Sequence, residues 1–393
     1  MKGHLRQHGR LPTSDTIRSN GFALDVLTEE PATYWAQRLS DREIHCHVTN
    51  YQKQISRVLA ANGSMVDITR ILREQLAAVL SVKREAQFST YGGLAREVLA
   101  DALAARANPG ALIGLPLGYD SLNASTGGLL AGELYVIVGR PGVGKTAALM
   151  EAFHQNFDFG SRSLICSNEM PGKQLVRRLL GRRSGINHLT LKTGDIGTLA
   201  EGCLHRAISD IENGPETHFI AGNFDQTTSA LEQMVAQFRP DILFVDAAYL
   251  LKVSGMARAS ATEKQEQVVR DMKALLMQYG IPGCMTFQLN RDEKDKSQGK
   301  KHRVDLSSIG GTDAVGKDAD VIQAMIRAPQ PYSRTHRILQ GIKARDSDPT
   351  DVAIRFQFYP PDYSEIPLEE IMGNSDDDEE TTDQAANDIN AML

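Results

Sequence analysis

No apolar run in this 393-residue chain approaches the roughly 18 residues of a membrane span, and its N-terminus lacks the apolar core of a signal peptide. The four cysteines lie far apart, and none forms a C-x-x-C pair: Cys46, Cys166, Cys203 and Cys284. A disulfide framework and a zinc site are therefore not expected. We expect a cytoplasmic protein that does not associate with membranes.

The chain also has little net charge, but the average hides a strongly acidic end. Residues Asn374–Leu393 hold seven acidic side chains and no lysine or arginine. The net charge of the whole chain is −6, so the net charge of the rest of the chain is +1. Such a body neither supports nor excludes nucleic-acid binding through a local basic groove. The acidic tail, predicted over residues 365–393, is expected to be disordered.

Residues 1–88 are predicted to form a small all-helical region. Apolar residues recur there at three- and four-residue spacing, as the buried stripe of one helix requires: Ile68, Ile71, Leu72, Leu76, Val79 and Leu80. A turn at Asn62–Ser64 separates them from an earlier apolar run, which favours a helical hairpin.

A linker helix is predicted within residues 89–111, where Asn108-Pro109-Gly110 stops the pattern. Its apolar stripe consists of Leu94, Val98, Leu99 and Leu103. This stripe fits packing on its own domain or on a neighbouring subunit, and periodicity alone does not choose between them.

From residue 112 to residue 364, short apolar runs alternate with helical stretches. Several runs are unbroken apolar strings, which is typical of strands buried on both faces. We therefore predict an α/β domain with a central, mostly parallel sheet. The expected strands are Leu134–Val138, Ser163–Cys166, Ile242–Asp246, Pro282–Phe287, Val321–Ile326, Ile338–Ile342 and Val352–Phe358, the last two forming a terminal hairpin.

A phosphate-binding loop follows the first of these strands. Residues 139–146, GRPGVGKT, match G-x-x-x-x-G-K-[ST] in full and lead into a helical pattern. Glycines let backbone N–H groups face phosphate oxygens, and the helix directs its positive end at the same anion. The motif predicts an ATP site, with Lys145 at the β- and γ-phosphates and Thr146 at Mg²⁺.

The residues assigned to the nucleotide are Gly139, Arg140, Pro141, Gly142, Val143, Gly144, Lys145, Thr146, Ala147 and Arg178. For Arg178, a place on a solvated helix face is the alternative.

Two carboxylates are placed to complete this site. Asp246 ends an apolar strand about a hundred residues after the loop, which favours a Walker B aspartate that holds Mg²⁺ through water over a capping residue. Glu169 follows the strand Ser163–Cys166, whose carboxyl end is expected beside the phosphate crevice. Spacing alone leaves Glu169 open between a base for hydrolysis and a glutamate that stabilises a helix N-terminus.

The ordered motifs of residues 113–360 resemble the ATPase domain of DnaB-type replicative helicases, which are RecA-like hexameric ATPases. The stretches that carry the resemblance are Ile113–Asn123, Thr126–Leu130, Gly132–Leu134, the phosphate loop, Ser167–Pro171, Gln174–Arg178, Gln288–Arg291, Gly311–Asp320 and Lys343–Arg345. His8–Thr13 resembles a piece of the family's N-terminal helical domain, so this region looks shortened. Together with the acidic tail, that favours a phage source.

The resemblance implies a RecA-like P-loop core behind a helical region and linker helix, and it assigns roles that spacing does not. Glu169 becomes the catalytic base, and Gln288 senses the γ-phosphate. Lys343 and Arg345 reach into the ATP site of the adjacent subunit, where they stabilise charge on the transferred phosphoryl group. Without the motif order, Gln288 fits a polar strand end, and Lys343 and Arg345 fit a solvated strand edge.

Contacts with DNA are expected in two segments. The family's DNA loop corresponds to Ser307–Thr312, where its usual arginine has no counterpart, so backbone N–H groups of Gly310, Gly311 and Thr312 are the expected phosphate donors. A basic loop is expected to track one strand's backbone without stacking on bases, because it holds no aromatic residue. A solvated loop is the alternative. The assigned residues are Arg291, Lys300, Lys301 and Arg303.

The sequence also departs from the family just after Lys343 and Arg345, the two basic residues called fingers below. The family has an asparagine and a glycine there, and this chain has Asp346 and Ser347.

The expected function is ATP-driven unwinding of duplex DNA at a replication fork by a hexameric ring that moves on single-stranded DNA, 5′→3′ by the resemblance alone. The alternatives are a RecA- or RadA-type recombination ATPase, and a loader or scaffold that binds ATP without hydrolysing it. The expected cofactors are ATP and Mg²⁺. Expected partners are further copies of the chain, primase, a loader, and a polymerase that docks on the acidic tail.

Overall fold

A computed structural model of the chain describes residues 32–61, 63–65, 67–68, 71–72, 90–107, 112–221, 226–253, 256, 259–288, 304, 313–358 and 361–372. The chain divides into two compact units, residues 1–88 and residues 89–393. Within the described ranges, no helix combines the length and the apolar character that crossing a bilayer requires. His8–Thr13 and Asn374–Leu393 lie outside the described residues.

The first unit contains the helix α1 (Ala32–Ala60). Gly63 and Ser64, in the predicted turn, are not helical, and helical backbone resumes at Met65. Of the predicted apolar stripe, Ile68 and Ile71 are buried while Leu72 is 49% exposed. The remaining stripe residues, Leu76, Val79 and Leu80, lie outside the described residues.

The second unit begins with the helix α2 (Tyr91–Ala107), whose predicted apolar stripe is exposed along its length. Its four residues keep about half or more of their surface in solvent: Leu94 47%, Val98 68%, Leu99 58% and Leu103 48%. Packing of this stripe on the same unit is therefore not observed among the described residues.

A nine-stranded sheet forms the centre of the second unit, in the order β11-β8-β7-β6-β1-β5-β4-β2-β3 among the described residues. The strands are β1 (Leu134–Gly139), β2 (Ser163–Ser167), β3 (Thr217–Ala221), β4 (Ile242–Asp246), β5 (Gly283–Gln288), β6 (Val321–Arg327), β7 (His336–Ala344), β8 (Val352–Arg355) and β11 (Glu365–Ile366), with a separate ribbon of β9 (Gln357–Phe358) and β10 (Pro361–Asp362).

The six strands β6, β1, β5, β4, β2 and β3 are mutually parallel. On the other side of β6, the strands β7, β8 and β11 follow, each antiparallel to the strand before it in the sheet. The predicted α/β class with a mostly parallel sheet is confirmed, and so is the terminal hairpin, which is the β7–β8 pair.

Helices cover both faces of this sheet, which explains the unbroken apolar strings. Alternate residues of β1 belong to different clusters: Tyr135 and Ile137 pack with one group of helices, and Val136 and Val138 pack with another. The helices of this unit after α2 are α3 (Asp120–Thr126), α4 (Lys145–Phe159), α5 (Gly172–Ser184), α6 (His188–Thr193), α7 (Thr198–Glu212), α8 (Thr228–Phe238), α9 (Ala261–Tyr279), α10 (Asp313–Asp318) and α11 (Glu369–Met372).

Three features differ from the sequence prediction. The predicted strand Val352–Phe358 is divided into β8 and β9, which belong to different sheets. The strand β3 was not expected, because at the sheet edge it pairs only with β2 among the described strands and is partly exposed, so its residues form no apolar string. Residues 365–372, which were assigned to the acidic tail, form regular structure, because β11 pairs with β8 and is followed by α11. Ile366 and Ile371 bury this segment in a third apolar cluster.

The buried carboxylate of Asp320 joins three elements at the amino ends of β1 and β6. It accepts hydrogen bonds from the Leu134 N–H at 2.8 Å and from Lys273 Nζ at 2.5 Å, and it forms an ion pair with Arg345, whose Nε lies 3.0 Å away. The Asp320 side chain is 4% exposed and the Lys273 side chain 19%. These bonds fix the end of β7, which carries Arg345, to the rest of the sheet.

Replacing this carboxylate should destabilise the fold. Asp320→Ala leaves the largely buried Lys273 without its counter-charge, and we expect the free energy of unfolding to fall by about 3 kcal/mol. The measurement is urea denaturation followed by circular dichroism. The matched control is Asp348→Ala, at an exposed position of the β7–β8 loop, which should change the free energy by less than about 0.5 kcal/mol. Equal midpoints for both variants would contradict the role given to Asp320.

Candidate active site

The phosphate loop connects β1 to α4 at the carboxyl edge of the parallel strands. Gly142 and Gly144 adopt left-handed φ angles of 71° and 117° there, which only glycine adopts readily. A Cβ at Gly144 would also lie 2.4 Å from the ring of Phe356. Glycine at this position is thus required both by the backbone angle and by the close aromatic ring.

Lys145 begins α4 and folds back over its own loop. Its Nζ donates to the carbonyl oxygens of Gly139 at 3.0 Å and Arg140 at 3.2 Å. Burial lowers the pKa of Lys145, and the nearby carboxylates of Glu169 and Asp246 oppose that shift. The ammonium group is therefore partly desolvated, which favours its pairing with an anion.

Asp246, at the end of β4, is held by two hydroxyl groups. Thr146 Oγ1 donates to its Oδ2 at 2.9 Å, and Thr286 Oγ1 donates to its Oδ1 at 2.7 Å. Burial raises the pKa of Asp246, while the two threonine donors and Lys145 lower it. Thr146 and Asp246, the two residues predicted to serve Mg²⁺, are thus brought into direct contact.

The other predicted nucleotide residues line one cleft beside this pair. Glu169 is exposed after β2, Gln288 ends β5 next to Gly139 of β1, and Arg178 is on α5. The cleft is lined by Pro141, Gly142, Gly144, Lys145, Thr146, Ala147, Met150, Glu169, Met170, Arg178, Tyr249, Gln288, Phe356, Phe358 and Tyr363. Gly139, Arg140 and Val143 are not among the lining residues; the first two present carbonyls to Lys145, and Val143 is buried.

An aromatic wall, made of Phe356, Phe358 and Tyr363, faces the same cleft. The ring centroid of Phe356 lies 5.1 Å from that of Phe358 and 5.6 Å from that of Tyr363. Rings at these distances and tilted to one another pack favourably. The wall supplies an aromatic surface to a cleft that is also lined by the charged side chains of Lys145, Glu169 and Arg178.

The sequence missed several of these residues. Thr286 shares the face of β5 with Gln288, two residues on, and its hydroxyl inside a buried strand was the available signal. Arg337 lies on β7, 194 residues after Val143 in the chain, and its Nε donates to the Val143 carbonyl at 2.8 Å. Neither it nor the aromatic wall had a motif to mark it.

Lys343 and Arg345 do not join this cleft. In the β6–β7 register, Met325 faces Leu339 at the level of the phosphate loop, whereas Val321 faces Ala344 at the opposite edge of the sheet. Arg345 is six residues beyond Leu339, which is roughly 20 Å along a strand. Lys343 Nζ instead donates to the carbonyls of Gly316 at 2.8 Å and Ala319 at 2.7 Å, while Arg345 pairs with Asp320.

The residues predicted to contact DNA all lie outside the described residues: Arg291, Lys300, Lys301, Arg303, Gly310, Gly311 and Thr312. Within residues 289–312 only Val304 is described, and two hydrogen bonds join its backbone to Gln340 of β7, at 3.0 Å and 2.7 Å. This segment is thus tied at one point to the strand that carries Lys343.

The donor set around the cleft fits a magnesium triphosphate. Mg²⁺ is bound in proteins by one or two oxygen side chains together with phosphate oxygens and water, and Thr146 and Asp246 provide such a pair 2.9 Å apart. Among the described residues there is no cluster of three or more His, Cys, Asp or Glu side chains that could hold a metal ion by itself.

Comparison with known proteins points to one family. The DnaB-like helicase C terminal domain matches residues 114–359. The replicative DNA helicase DnaB of Geobacillus stearothermophilus is 26% identical over 226 residues, which are 56% of this chain and 48% of the relative. The replicative DNA helicase DnaB of Rhodothermus marinus is 24% identical over 321 residues, 78% of this chain and 33% of the relative. The chain thus spans about half or less of these relatives' lengths.

Two solved structures share the fold. One, described as an ATPase domain, superposes with a TM-score of 0.63 at 22% identity and covers 71% of this chain and 100% of its own. A DnaB-like replicative helicase, whose structure was described with its interactions with primase, superposes with a TM-score of 0.66 at 20% identity, covering 85% of this chain and 77% of its own.

Removing the hidden donor to Asp246 should weaken metal-dependent nucleotide binding. Thr286→Val deletes one hydrogen bond to the buried carboxylate, so its pKa rises further and its affinity for a cation falls. We expect the Mg²⁺ concentration for half-maximal ATP binding to increase about tenfold, measured by titrating Mg²⁺ against a fluorescent ATP analogue.

The matched control is Thr228→Val, because Thr228 is also buried and also donates to an aspartate at 2.7 Å, but its acceptor is Asp271 and not the carboxylate that Thr146 contacts. The control should leave the Mg²⁺ dependence unchanged. A similar midpoint for the Thr286 variant and the natural protein would show that Thr286 does not tune the metal ligand.

Proposed function

The chain belongs to the family of the DnaB-like helicase C-terminal domain, and on that premise we propose that it is the ATP-driven motor of a replicative DNA helicase. The observation that carries the proposal is that Lys145, Thr146 and Glu169 line one cleft at the carboxyl edge of the sheet and that Thr146 is hydrogen-bonded to Asp246. Residues that are far apart in sequence form there the set that phosphoryl transfer to water requires.

In this proposal, Lys145 and the N–H groups of residues 142–146 bind the triphosphate, and Thr146 and Asp246 hold the metal ion. Mg²⁺, when bound, neutralises charge on the phosphate oxygens. Glu169 orients a water molecule and accepts its proton as the new P–O bond forms and the bond to the leaving ADP breaks. Gln288, beside the loop at the end of β5, is placed to sense the γ-phosphate. Arg178 and the aromatic wall bind the base and ribose.

We further propose that each site is completed by a neighbouring copy of the chain. Lys343 and Arg345 are on the sheet edge opposite to their own phosphate loop, so they serve a site only if it belongs to another subunit. The exposed apolar stripe of α2 supports this, because a row of apolar side chains in solvent marks a contact surface. A closed ring satisfies every subunit in the same way, and six copies is the number we propose.

The proposed substrate is single-stranded DNA at a replication fork, with 5′→3′ movement. Arg291, Lys300, Lys301, Arg303, and the N–H groups of Gly310, Gly311 and Thr312 are the proposed phosphate contacts, and the anchored Val304 connects this segment to β7. Primase is the partner suggested by the relative described with it. A loader and a polymerase that docks on the acidic residues 374–393 complete the proposal, which places the protein in the cytoplasm.

Strand displacement on a forked DNA substrate tests the proposed activity. Lys145→Ala should abolish ATP binding, whereas Glu169→Gln should retain binding and reduce hydrolysis by about 100-fold or more, since it removes only the proton acceptor. Both variants should fail to unwind the fork. DNA-stimulated ATPase without unwinding would favour a recombination ATPase. Absence of turnover in the natural protein would favour a loader or scaffold, and normal turnover by Lys145→Ala would remove the motor hypothesis.

Mixing two inactive variants tests the shared site. Arg345→Ala lacks the finger but keeps its own cleft, and Lys145→Ala has the reverse defect. In a one-to-one mixture with free subunit exchange, about a quarter of the sites combine an intact cleft with an intact neighbouring finger, so ATPase activity should return to that level. The matched control mixes Lys145→Ala with Glu169→Gln, whose defects both lie in the cleft, and should show no recovery. Recovery in neither mixture would argue against fingers acting in trans.

A further inference from the structure

We infer that Arg337 of β7 is a positioning residue for the nucleotide, which holds the Val143–Gly144 peptide of the phosphate loop in the orientation that binds phosphate. The inference rests on the proposed function, because it concerns ATP binding at the same cleft. It adds Arg337, which belongs to no recognised motif, to the residues that serve the cleft of its own subunit. Lys343 and Arg345, farther along the same segment, are proposed to serve the site of a neighbouring copy.

The Arg337 guanidinium is 5% exposed and is bonded entirely to backbone carbonyls in the contacts observed. Nε donates to the Val143 oxygen at 2.8 Å, and Nη1 donates to the oxygens of Ser333 at 3.0 Å and His336 at 2.7 Å. The fork shape of the guanidinium lets one side chain join the loop to the turn before β7. The phosphate loop is therefore connected directly to a strand that does not neighbour it in the chain.

A second contact holds the same peptide from another side. The Arg337 guanidinium carbon lies 4.2 Å from the centroid of the Phe356 ring, within the range of a cation–π interaction. The same ring lies against Gly144, where even a methyl group would approach to 2.4 Å. The Val143–Gly144 peptide is thus enclosed by the guanidinium at its oxygen and the ring at the following Cα.

The charge of Arg337 has no acidic partner among the residues that the structure describes. Burial lowers the pKa of Arg337, and the neighbouring Arg327, opposite it in the β6–β7 register, lowers it further. A buried cation without a carboxylate is costly unless an anion approaches. The triphosphate, bound by the loop that Arg337 contacts, is the anion that would supply the missing charge.

The peptide geometry connects this contact to phosphate binding. The Val143 carbonyl and the Gly144 N–H belong to one planar unit, so a donor that fixes the oxygen also fixes the direction of the N–H. A hydrogen bond to the carbonyl also polarises the unit and strengthens its N–H as a donor. Arg337 touches neither the nucleotide nor the reacting atoms in this scheme; it acts through the loop.

The test replaces Arg337 by Met, which keeps the unbranched length but removes the charge and the donors. Because the residue acts on binding and not on the chemical step, we expect KM for ATP and the Kd of a fluorescent ADP analogue to rise about tenfold. The kcat should change by less than about threefold. Arg334→Met, in the exposed turn just before β7, is the matched control and should change neither constant.

Arg337→Lys is the second variant, because it retains the charge and is the gentler change should the methionine variant fail to fold. A lysine keeps the positive charge but lacks the planar fork with which the guanidinium reaches the Val143 oxygen and the turn before β7 while lying over Phe356. We therefore expect an intermediate effect of about threefold on KM and Kd. Melting temperatures of the nucleotide-free variants check the fold.

Unchanged KM and Kd in both variants, or a lower kcat at unchanged KM, would overturn the role of Arg337. Lys145→Ala, measured alongside, distinguishes failure of the positioning role of Arg337 from failure of the proposed ATP site. If it abolishes binding of the ADP analogue while the Arg337 variants bind normally, only the positioning role fails. If Lys145→Ala itself binds normally, the proposed ATP site fails.

Discussion

A hydrogen bond between Thr146 and Asp246, two residues 100 positions apart in the chain, joins the two halves of the nucleotide site. It can form because β1 and β4 are both parallel to β5, which brings their carboxyl ends to one edge of the sheet. The Thr146 hydroxyl and an Asp246 carboxylate oxygen then lie side by side. Oxygen atoms of these kinds are the ligands that Mg²⁺ prefers in proteins. Glu169, just after β2, and Gln288, at the end of β5, belong to further strand ends at that edge.

Much of this fold was predictable because its central strands are covered on both faces. Strands such as β1 and β4 are then buried at every position, and their long apolar runs, which in β4 end at Asp246, stand out in the sequence. The same physics explains the failures. Strand β3 at the edge is half exposed, so its sequence carries no apolar string, and β11 is two residues long. Ile366 and Ile371 extend the ordered chain into a segment whose acidic composition indicated disorder.

The site was predictable where chemistry imposes a local motif, and not where it depends on tertiary contacts. The phosphate loop needs its glycines, lysine and threonine within eight residues, so the sequence identifies them. Thr286 contributes one hydroxyl through cross-strand proximity, and Arg337 reaches the loop from 194 residues away. Each is an ordinary strand residue by its local sequence. Their roles follow only from the sheet order, which places β5 and β6 on either side of β1 and β7 next to β6.

The strand β7 has a consequence for any assembly in which its far end meets another copy of the chain. Arg337 at one end contacts the phosphate loop of its own subunit, and Lys343 and Arg345 lie at the other end. An extended backbone in a sheet is nearly inextensible, because its length is set by covalent geometry and ladder hydrogen bonds. A small displacement of the loop on nucleotide release would therefore move the distal cations by a comparable amount. In such an assembly, one continuous β-strand would connect the phosphate loop of one copy to the surface that faces the next.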